Sequence, residues 1–544
     1  MTTAPIPDSR MGLLAASLRR FGRAEDGGLM VLSLVLFMLM LLMGGLAVDL
    51  MRYETARTQL QNSLDRCTLM ATSLKQSLDA TAVVKDCMAK MDLGDSVQNI
   101  QVAQGLNSRN VISDGLVDTH PHFLPLMGIP KLDARGHAAA LQSITNVEIV
   151  LVLDVSGSMQ GTKIANLKTA AKEFVATMLD ADPEKRISIS IVPYNAQVNL
   201  GPVLRAKYNA VNQHGVVDVN CLEIPVSAYS SLALSRSLAI PMMAYADTAN
   251  GTDTRGAYVA PTDKNYAKPN YSSAFCKPTT VNIVRLPSQD KATLQTQIGA
   301  LQAGGNTSIM LGMKWGTALL DPSARPMFAE FIAEGTMDAK LKQRPFDYTD
   351  KESMKVLVVM TDGDHVAHDR ITDAYKTGPS PIYKSTGDGR YSIQHTTGRP
   401  ASAGTNQFWV PHTGKWQATA YDSGKGVVQQ DWKDIWANLR LSYVAWQFYG
   451  RAMGSAANTT ALNDMDATFA DETTMDSQLQ QSCTQAKDKG VIIYGIAFEA
   501  PKNGQKQISS CASSAAHYFD AQGLGIQTAF RTIASNLTQL KLTQ

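Results

Sequence analysis

The pattern of apolar and polar positions changes period several times along the chain. From Gly27 to Val48 the sequence GGLMVLSLVLFMLMLLMGGLAV carries no charge, and as a helix it is long enough to cross a hydrocarbon core of about 30 Å. Beyond it Tyr53, Ala56, Leu60, Leu64, Cys67, Ala71, Leu74 and Leu78 recur at intervals of three and four, which is one face of a helix. The spacing predicts a short N-terminal segment over 1–26, a transmembrane helix over 27–48 and a helical stalk over 49–79. From 80 to 143 the apolar stretches are short and mixed, with Asp92-Leu-Gly, Asp114-Gly and Gly128-Ile-Pro as turn signals, and a small α+β spacer is expected there.

From 144 onward the pattern is that of buried strands and amphipathic helices. Val147-Glu-Ile-Val-Leu-Val-Leu-Asp154 is a near-continuous apolar run ending in a carboxylate, as in a strand covered on both faces. Lys163 to Leu179 has helical spacing, and Ile187 to Pro193 alternates as a strand. Ala292 to Leu301 reads as helix, Lys355 to Met360 and Val491 to Phe498 as buried strands, His517 to Asp520 as a short strand, and Ile526 to Leu540 as a closing amphipathic helix. Strands alternating with helices predict an α/β fold over 144–544, a doubly wound, mostly parallel sheet. Two long insertions interrupt it, at about 198–279 and about 365–479. The second holds five of the six tryptophans, a density that argues against disorder. Trp432 and Trp436 are four apart, so the aromatic residues are expected to build the insertion's own core rather than a binding face.

Lysine plus arginine number 50 against 48 acidic residues, and charged residues are 18% of the chain, so electrostatic capture of nucleic acid is not expected. Arg10, Arg19, Arg20 and Arg23 precede the apolar run and Arg52, Arg57 and Arg66 follow it; the positive-inside bias favours a cytoplasmic N-terminus. All six cysteines lie beyond the run with no CxxC, which suits disulfides in an oxidising compartment. Proximity pairs Cys67 with Cys87, Cys221 with Cys276 and Cys483 with Cys511. A signal peptide cut near Gly45-Leu46-Ala47 is the competing reading, but the run exceeds the usual core of about 7 to 15 residues, and the helical pattern continues through the cut.

The candidate chemistry lies where buried strands end. Asp154-Val-Ser156-Gly-Ser158 follows the first strand, Gly304-Gly-Asn-Thr307-Ser precedes a helix, and Met360-Thr361-Asp362-Gly363 follows another strand. In a doubly wound sheet these segments meet in the crevice where ligands bind. Asp154, Ser156, Ser158, Thr307 and Asp362 are hard oxygen donors suited to Mg²⁺, Ca²⁺ or Mn²⁺. Helix capping alone would account for Asp154, Ser156 and Ser158 but for neither Thr307 nor Asp362. Asp364, His365, His368 and Asp369 are read as a solvated loop rather than a second metal site.

These five residues resemble the metal-ion-dependent adhesion site of the von Willebrand factor type A domain, in that family's order. The resemblance implies that their hydroxyls and carboxylates surround a divalent cation, directly or through water, and that a partner's Asp or Glu completes the coordination. A second resemblance covers the whole chain. Arg19-Arg20-Phe21, Glu25-Asp26-Gly27-Gly28, Gly45-Leu-Ala-Val-Asp49 and Leu60-Gln-Asn-Ser look like the anchor of TadG-type Flp pilus (tight adherence) assembly proteins. Pro193-Tyr-Asn, Val198-Asn-Leu-Gly, Gly312-Met-Lys-Trp315-Gly and Cys511-Ala-Ser-Ser ahead of His517-Tyr-Phe-Asp520 are similar to further stretches of those proteins. This implies a bacterial envelope protein in the inner membrane with its C-terminal bulk periplasmic, and pilus-assembly components as partners. Ser33 stands where a prepilin cleavage pattern has glutamate, so an uncleaved anchor is expected. No lysine, histidine or glutamate joins the five ligands in a recognisable catalytic motif, so a binding module is expected rather than an enzyme. The alternatives are a metal-dependent hydrolase using Asp154 or Asp362, and a purely structural tether.

Overall fold

One helix, α1 (Gly28–Thr72), carries both the uncharged run and the amphipathic pattern after it, so the backbone passes through Gly45-Leu46-Ala47 without a break. The computed structural model describes residues 28–73, 78–104, 108–143, 146–249, 256–350 and 352–543. The expected N-terminal segment over 1–26 lies outside them, as does Leu74. Leu78 is described but stands outside the helix, which ends at Thr72. The chain falls into two units, the residues up to Ile144 and those of Thr145–Thr543.

In the first unit, α1 exposes its large apolar side chains from Leu29 to Met51 and is long and apolar enough to cross a membrane. From Leu60 onward one face turns inward: Leu60, Leu64, Cys67 and Ala71 are buried. They pack on an antiparallel sheet of β1 (Val97–Gln104), β2 (Ser108–Thr119) and β3 (Leu132–Ser143), in that order. Asp114-Gly is not a turn as the sequence suggested but lies inside β2, where Gly115 pairs with Gly136 of β3. A Cβ on Gly115 would come within 3.0 Å of Leu60, and one on Gly136 within 2.8 Å of Leu64. The two glycines are where the helix rides directly on the sheet. A second helix, α2 (Ala80–Ala89), starts at Asp79, whose side chain accepts a hydrogen bond from the Ala82 N–H, and the Cys67–Cys87 disulfide fastens it to α1.

The second unit is built on six strands: β4 (Asn146–Asp154), β5 (Ile187–Tyr194), β6 (Arg285–Ser288), β7 (Ser353–Thr361), β8 (Ile492–Phe498) and β9 (Tyr518–Ala521), ordered β9-β8-β7-β4-β5-β6. All neighbours run parallel except β6, which is antiparallel to β5 at the edge. Alternate residues feed two cores, as expected of a sheet covered on both faces. Ile149, Leu151, Val356 and Val358 pack with α3 (Thr162–Asp180), α4 (Lys291–Ala300) and α8 (Gly525–Thr543). Val150, Val152, Leu357 and Val359 pack with α5 (Ile309–Leu320), α6 (Glu472–Asp488) and α7 (Lys502–Cys511). Helix α5 is buried on every side, which fits a mostly apolar sequence; its one charged residue, Lys314, donates to the Leu232 and Ala233 carbonyls. The Cys483–Cys511 disulfide joins α6 to α7.

The first insertion holds little regular structure and is closed by Cys221–Cys276, 55 positions apart. The second contains a five-stranded antiparallel sheet over 379–431 and a core in which Trp409, Trp432 and Trp436 are buried, not its own alone as expected but shared with Ala246, Val259 and Ala267 of the first insertion. Trp432 and Trp436 stack at 5.4 Å, so the aromatic residues do build a core. Arg370 and Lys376 of the second insertion bind the buried carboxylate of Glu223 in the first.

Candidate metal centre

Parallel strands β4 and β7 end side by side, so Asp154 and Asp362 leave the sheet at the same edge. Asp154 is fully buried. Its Oδ1 accepts the Ser156 N–H at 2.8 Å and its Oδ2 accepts the Thr361 hydroxyl at 2.7 Å. Burial, and then the charge of Asp362, push its carboxyl up to about 6. The Tyr194 hydroxyl donates to the Met360 carbonyl at 2.9 Å and lies 3.5 Å from Asp154 Oδ2; burial raises its own pKa.

The two serines face Asp362. Ser158 Oγ donates to Asp362 Oδ1 at 2.6 Å, Ser156 Oγ lies 3.5 Å from the same oxygen, and the two hydroxyls are 3.0 Å apart. The turn that presents them is pinned from the Gly304-Gly305 side, since the Gly157 N–H donates to the Gly305 carbonyl and the Gly304 N–H to the Val155 carbonyl, both at 2.8 Å. Thr307 is buried and its carbonyl accepts the Val366 N–H at 3.0 Å. Gly363 fits between the hydroxyls: a Cβ there would lie 3.4 Å from Thr307 Oγ1 and 3.8 Å from Ser158 Oγ. All five residues singled out in the sequence therefore sit at one sheet edge. Two carboxylates with three hydroxyls form a hard donor set that suits a divalent cation. Among the described residues no group of three or more His, Cys, Asp or Glu side chains gathers as a metal cluster; with only two carboxylates, this centre has a different composition.

One cation at the site escaped the sequence reading. Lys163, at the start of α3, places Nζ 2.9 Å from Asp362 Oδ2 and 3.7 Å from Glu499 Oε2. It lies five residues beyond Ser158, and only the first turn of α3 brings it back over the strand ends. Thr361 and Tyr194, which hold Asp154, were missed too: a hydroxyl one residue from a ligand, as at Thr361, has no distinctive spacing, and Tyr194 lies 40 positions from Asp154 on the neighbouring strand. The Asp364, His365, His368 and Asp369 segment does not converge. The buried His365 ring accepts the Met310 N–H and meets Asp476, Asp364 accepts the Gly504 N–H, and His368 stacks near Phe275 and Phe469. Those side chains are fold contacts rather than a solvated loop.

Residues 27–81 match the family model described as Tad, Flp pilus-assembly TadE/G-like, the segment in which the sequence shows the anchor motif. No curated protein sequence matches the chain. Similar solved structures include the vWF domain of the type V pili tip protein Mfa5 from Porphyromonas gingivalis, 12% identical, covering 74% of this chain and 97% of that one with a TM-score of 0.31. The pilus adhesin SpaC from Lactobacillus rhamnosus GG, in an open conformation, is 11% identical over 81% of this chain and 34% of that one, TM-score 0.31. The pilus adhesin RrgA from Streptococcus pneumoniae is 10% identical over 81% of this chain and 49% of that one, TM-score 0.29. The chain thus spans about a third of SpaC and half of RrgA.

Proposed function

We propose that this is a membrane-anchored protein of the bacterial envelope that serves Flp-type pilus assembly or surface attachment, and that its second unit, a von Willebrand factor A-like domain, grips an acidic side chain of a protein partner through Mg²⁺, Ca²⁺ or Mn²⁺. The observation that carries the reading is the convergence of Asp154, Ser156, Ser158, Thr307 and Asp362 at the end of β4 and β7. The ion would supply the positive centre to which a partner carboxylate binds. Asp154 and Asp362 would balance its charge, and the serine and threonine hydroxyls would face it. Lys163 would leave Asp362 for Glu499 as the ion enters. The apolar half of α1 supports a single inner-membrane span, and the match over 27–81 supports the link with Flp pili. Three disulfides beyond the span support a periplasmic location for everything after it.

Calorimetry on the full chain in detergent tests the centre. Wild type should bind Mg²⁺ or Ca²⁺. Asp362→Ala should lose most of that affinity because it removes one of two balancing charges, and Thr307→Ala should lose less. Capture of a partner should weaken in the same rank order and fail in EDTA, while circular dichroism stays at wild type. No divalent-ion binding by the intact protein, or capture indifferent to EDTA, sinks the proposal. Lys163 beside the carboxylates keeps one second reading open, a metal-dependent hydrolase. Turnover of a phosphoester that disappears in Asp154→Ala would establish it.

A further inference from the structure

The connection from β2 to β3 is more apolar at its surface than a water-facing loop needs to be. Leu126 is 77% exposed and Met127 62%, with Ile129 and Phe123 also exposed, and Pro125 and Pro130 complete the segment Phe123-Leu-Pro-Leu-Met-Gly-Ile-Pro. Large apolar side chains gathered on one exposed turn mark an interaction surface. The turn itself is well built. Residues Leu124–Met127 form a short 3₁₀ turn, and Gly128 closes it at φ 83°, where its N–H returns to the Pro125 carbonyl.

What the loop rests on identifies its occupant. The Phe123 ring lies against Gly45 of α1, so close that a Cβ on Gly45 would meet it at 2.4 Å. Gly45 is inside the uncharged run. Counting from Gly28 at about 1.5 Å per residue, it stands about 26 Å along the helix, short of the roughly 30 Å of a hydrocarbon core. One turn further on, Asp49 is 2% exposed, and its carboxylate accepts the backbone N–H groups of His122, Phe123 and Leu124 at 2.8, 2.7 and 2.9 Å. Three hydrogen bonds satisfy both a buried charge and the leading N–H groups of the turn, which makes their burial beside the span tolerable. The clamp fixes the apolar tip at the depth where α1 leaves the bilayer, with charge returning at Arg52 on the helix, at Asp118 in β2 and at Lys131 just before β3.

We infer that the Phe123–Pro130 loop is a second membrane contact, a wedge inserted into the periplasmic face of the bilayer beside the span and locked to it by Asp49. The inference rests on α1 crossing the membrane, and the two fail separately. It gives Gly45 and Asp49 a common purpose: Gly45 admits the Phe123 ring, and Asp49 holds the turn's backbone. A span with one lateral support resists tilting and rotation, so the first unit keeps a fixed stance on the membrane.

The test uses the full chain in phosphatidylcholine vesicles. The six native tryptophans all lie in the second unit, from Trp315 onward, so the parent provides a baseline for Leu126→Trp and for Leu36→Trp in the middle of the run. Both added indoles should emit at short wavelength and lose most of their extra fluorescence in vesicles whose acyl chains carry bromine. Quenching at Leu36→Trp with none at Leu126→Trp overturns the wedge and leaves the span standing. Quenching at neither removes both, and quenching only at Leu126→Trp sinks the span and, with it, the wedge that is defined by resting on it. Adding Asp49→Asn to Leu126→Trp should reduce the loop's quenching without touching that of Leu36→Trp; unchanged quenching would overturn the clamp.

Discussion

Gly312 in α5 offers a measurement of how tightly the sheet supports the site. The helix lies directly on β4 and β5, and a Cβ added at Gly312 would stand 2.5 and 2.8 Å from two atoms of the Tyr194 ring and 2.9 Å from Val152. Neither neighbour can move cheaply. Tyr194 and Val152 are buried, and the tyrosine hydroxyl is tied to the Met360 carbonyl at the metal edge. Gly312→Ala gains about 1 kcal/mol of helix propensity but overpacks the core at a cost of about 1–3 kcal/mol, and three contacts below 3.0 Å place it in the upper part of that range. The net expectation is a loss of about 1–2 kcal/mol. Gly299 in α4 is the control, because its added Cβ would meet only the tip of Lys172, with Nζ at 2.7 Å, which can swing away. Gly299→Ala should therefore gain up to about 1 kcal/mol. Urea titrations followed by tryptophan fluorescence should show midpoints moving in opposite directions from the parent. Gly312→Ala should also weaken divalent-ion binding, since Tyr194 cannot yield without disturbing Met360 and Asp154. A Gly312→Ala protein as stable as the parent or more so would refute the reasoning.

Lys163→Met removes the positive charge that competes with an incoming dication, and calorimetry should find the affinity for Mg²⁺ raised about tenfold, roughly 1.4 kcal/mol; equal or lower affinity would show that the lysine helps rather than competes. Asp466 has its carboxyl pushed up to about 7 by burial and by Asp369, so between about pH 4 and 7 the folded chain keeps a proton that the unfolded chain releases. That contribution to stability is present at low pH and is lost as pH rises through 7. Asp466→Asn should therefore stabilise at pH 8, by about 1–2 kcal/mol allowing for the group's partial exposure, and flatten the pH profile of the urea midpoint. Cys276→Ser opens the 55-residue loop of the first insertion and should cost about 2–4 kcal/mol; a wild-type urea midpoint, or free thiols in the native protein, would count against the pairing.

Much of this fold is legible because its strongest signals are local. Buried parallel strands such as Val147 to Asp154 are apolar at almost every position, and an unbroken run needs no knowledge of its partners. The three disulfides followed from proximity alone. What escaped depends on contacts between distant elements. Asp114-Gly looked like a turn, since nothing nearby in sequence tells that Leu60 and Leu64 press on Gly115 and Gly136. Lys163 looked like one more charge at a helix start, and its meaning appears only when Asp362, far along the chain, comes to rest 2.9 Å away. The five candidate ligands could be singled out because each follows or precedes a recognisable core element. The hydroxyls and the lysine that support them could not.

The supporting groups explain how two buried carboxylates can share one sheet edge. A buried charge left alone is costly, and the two aspartates are compensated by different means. Asp154 is satisfied by neutral donors, the Ser156 N–H and the Thr361 hydroxyl, and part of its burden shows in the carboxyl raised to about 6. Asp362 is satisfied by charge, through Lys163, with Ser158 on its other oxygen. On the proposed reading, Asp154 and Asp362 would hold a divalent cation, which would supply the positive charge that Lys163 supplies to Asp362, and the hydroxyls already stand beside the carboxylates. Little backbone ordering is then required. Ion binding should register as displacement of Lys163 and a change in charge rather than as folding, which is why circular dichroism should stay at wild type in Asp362→Ala and Thr307→Ala.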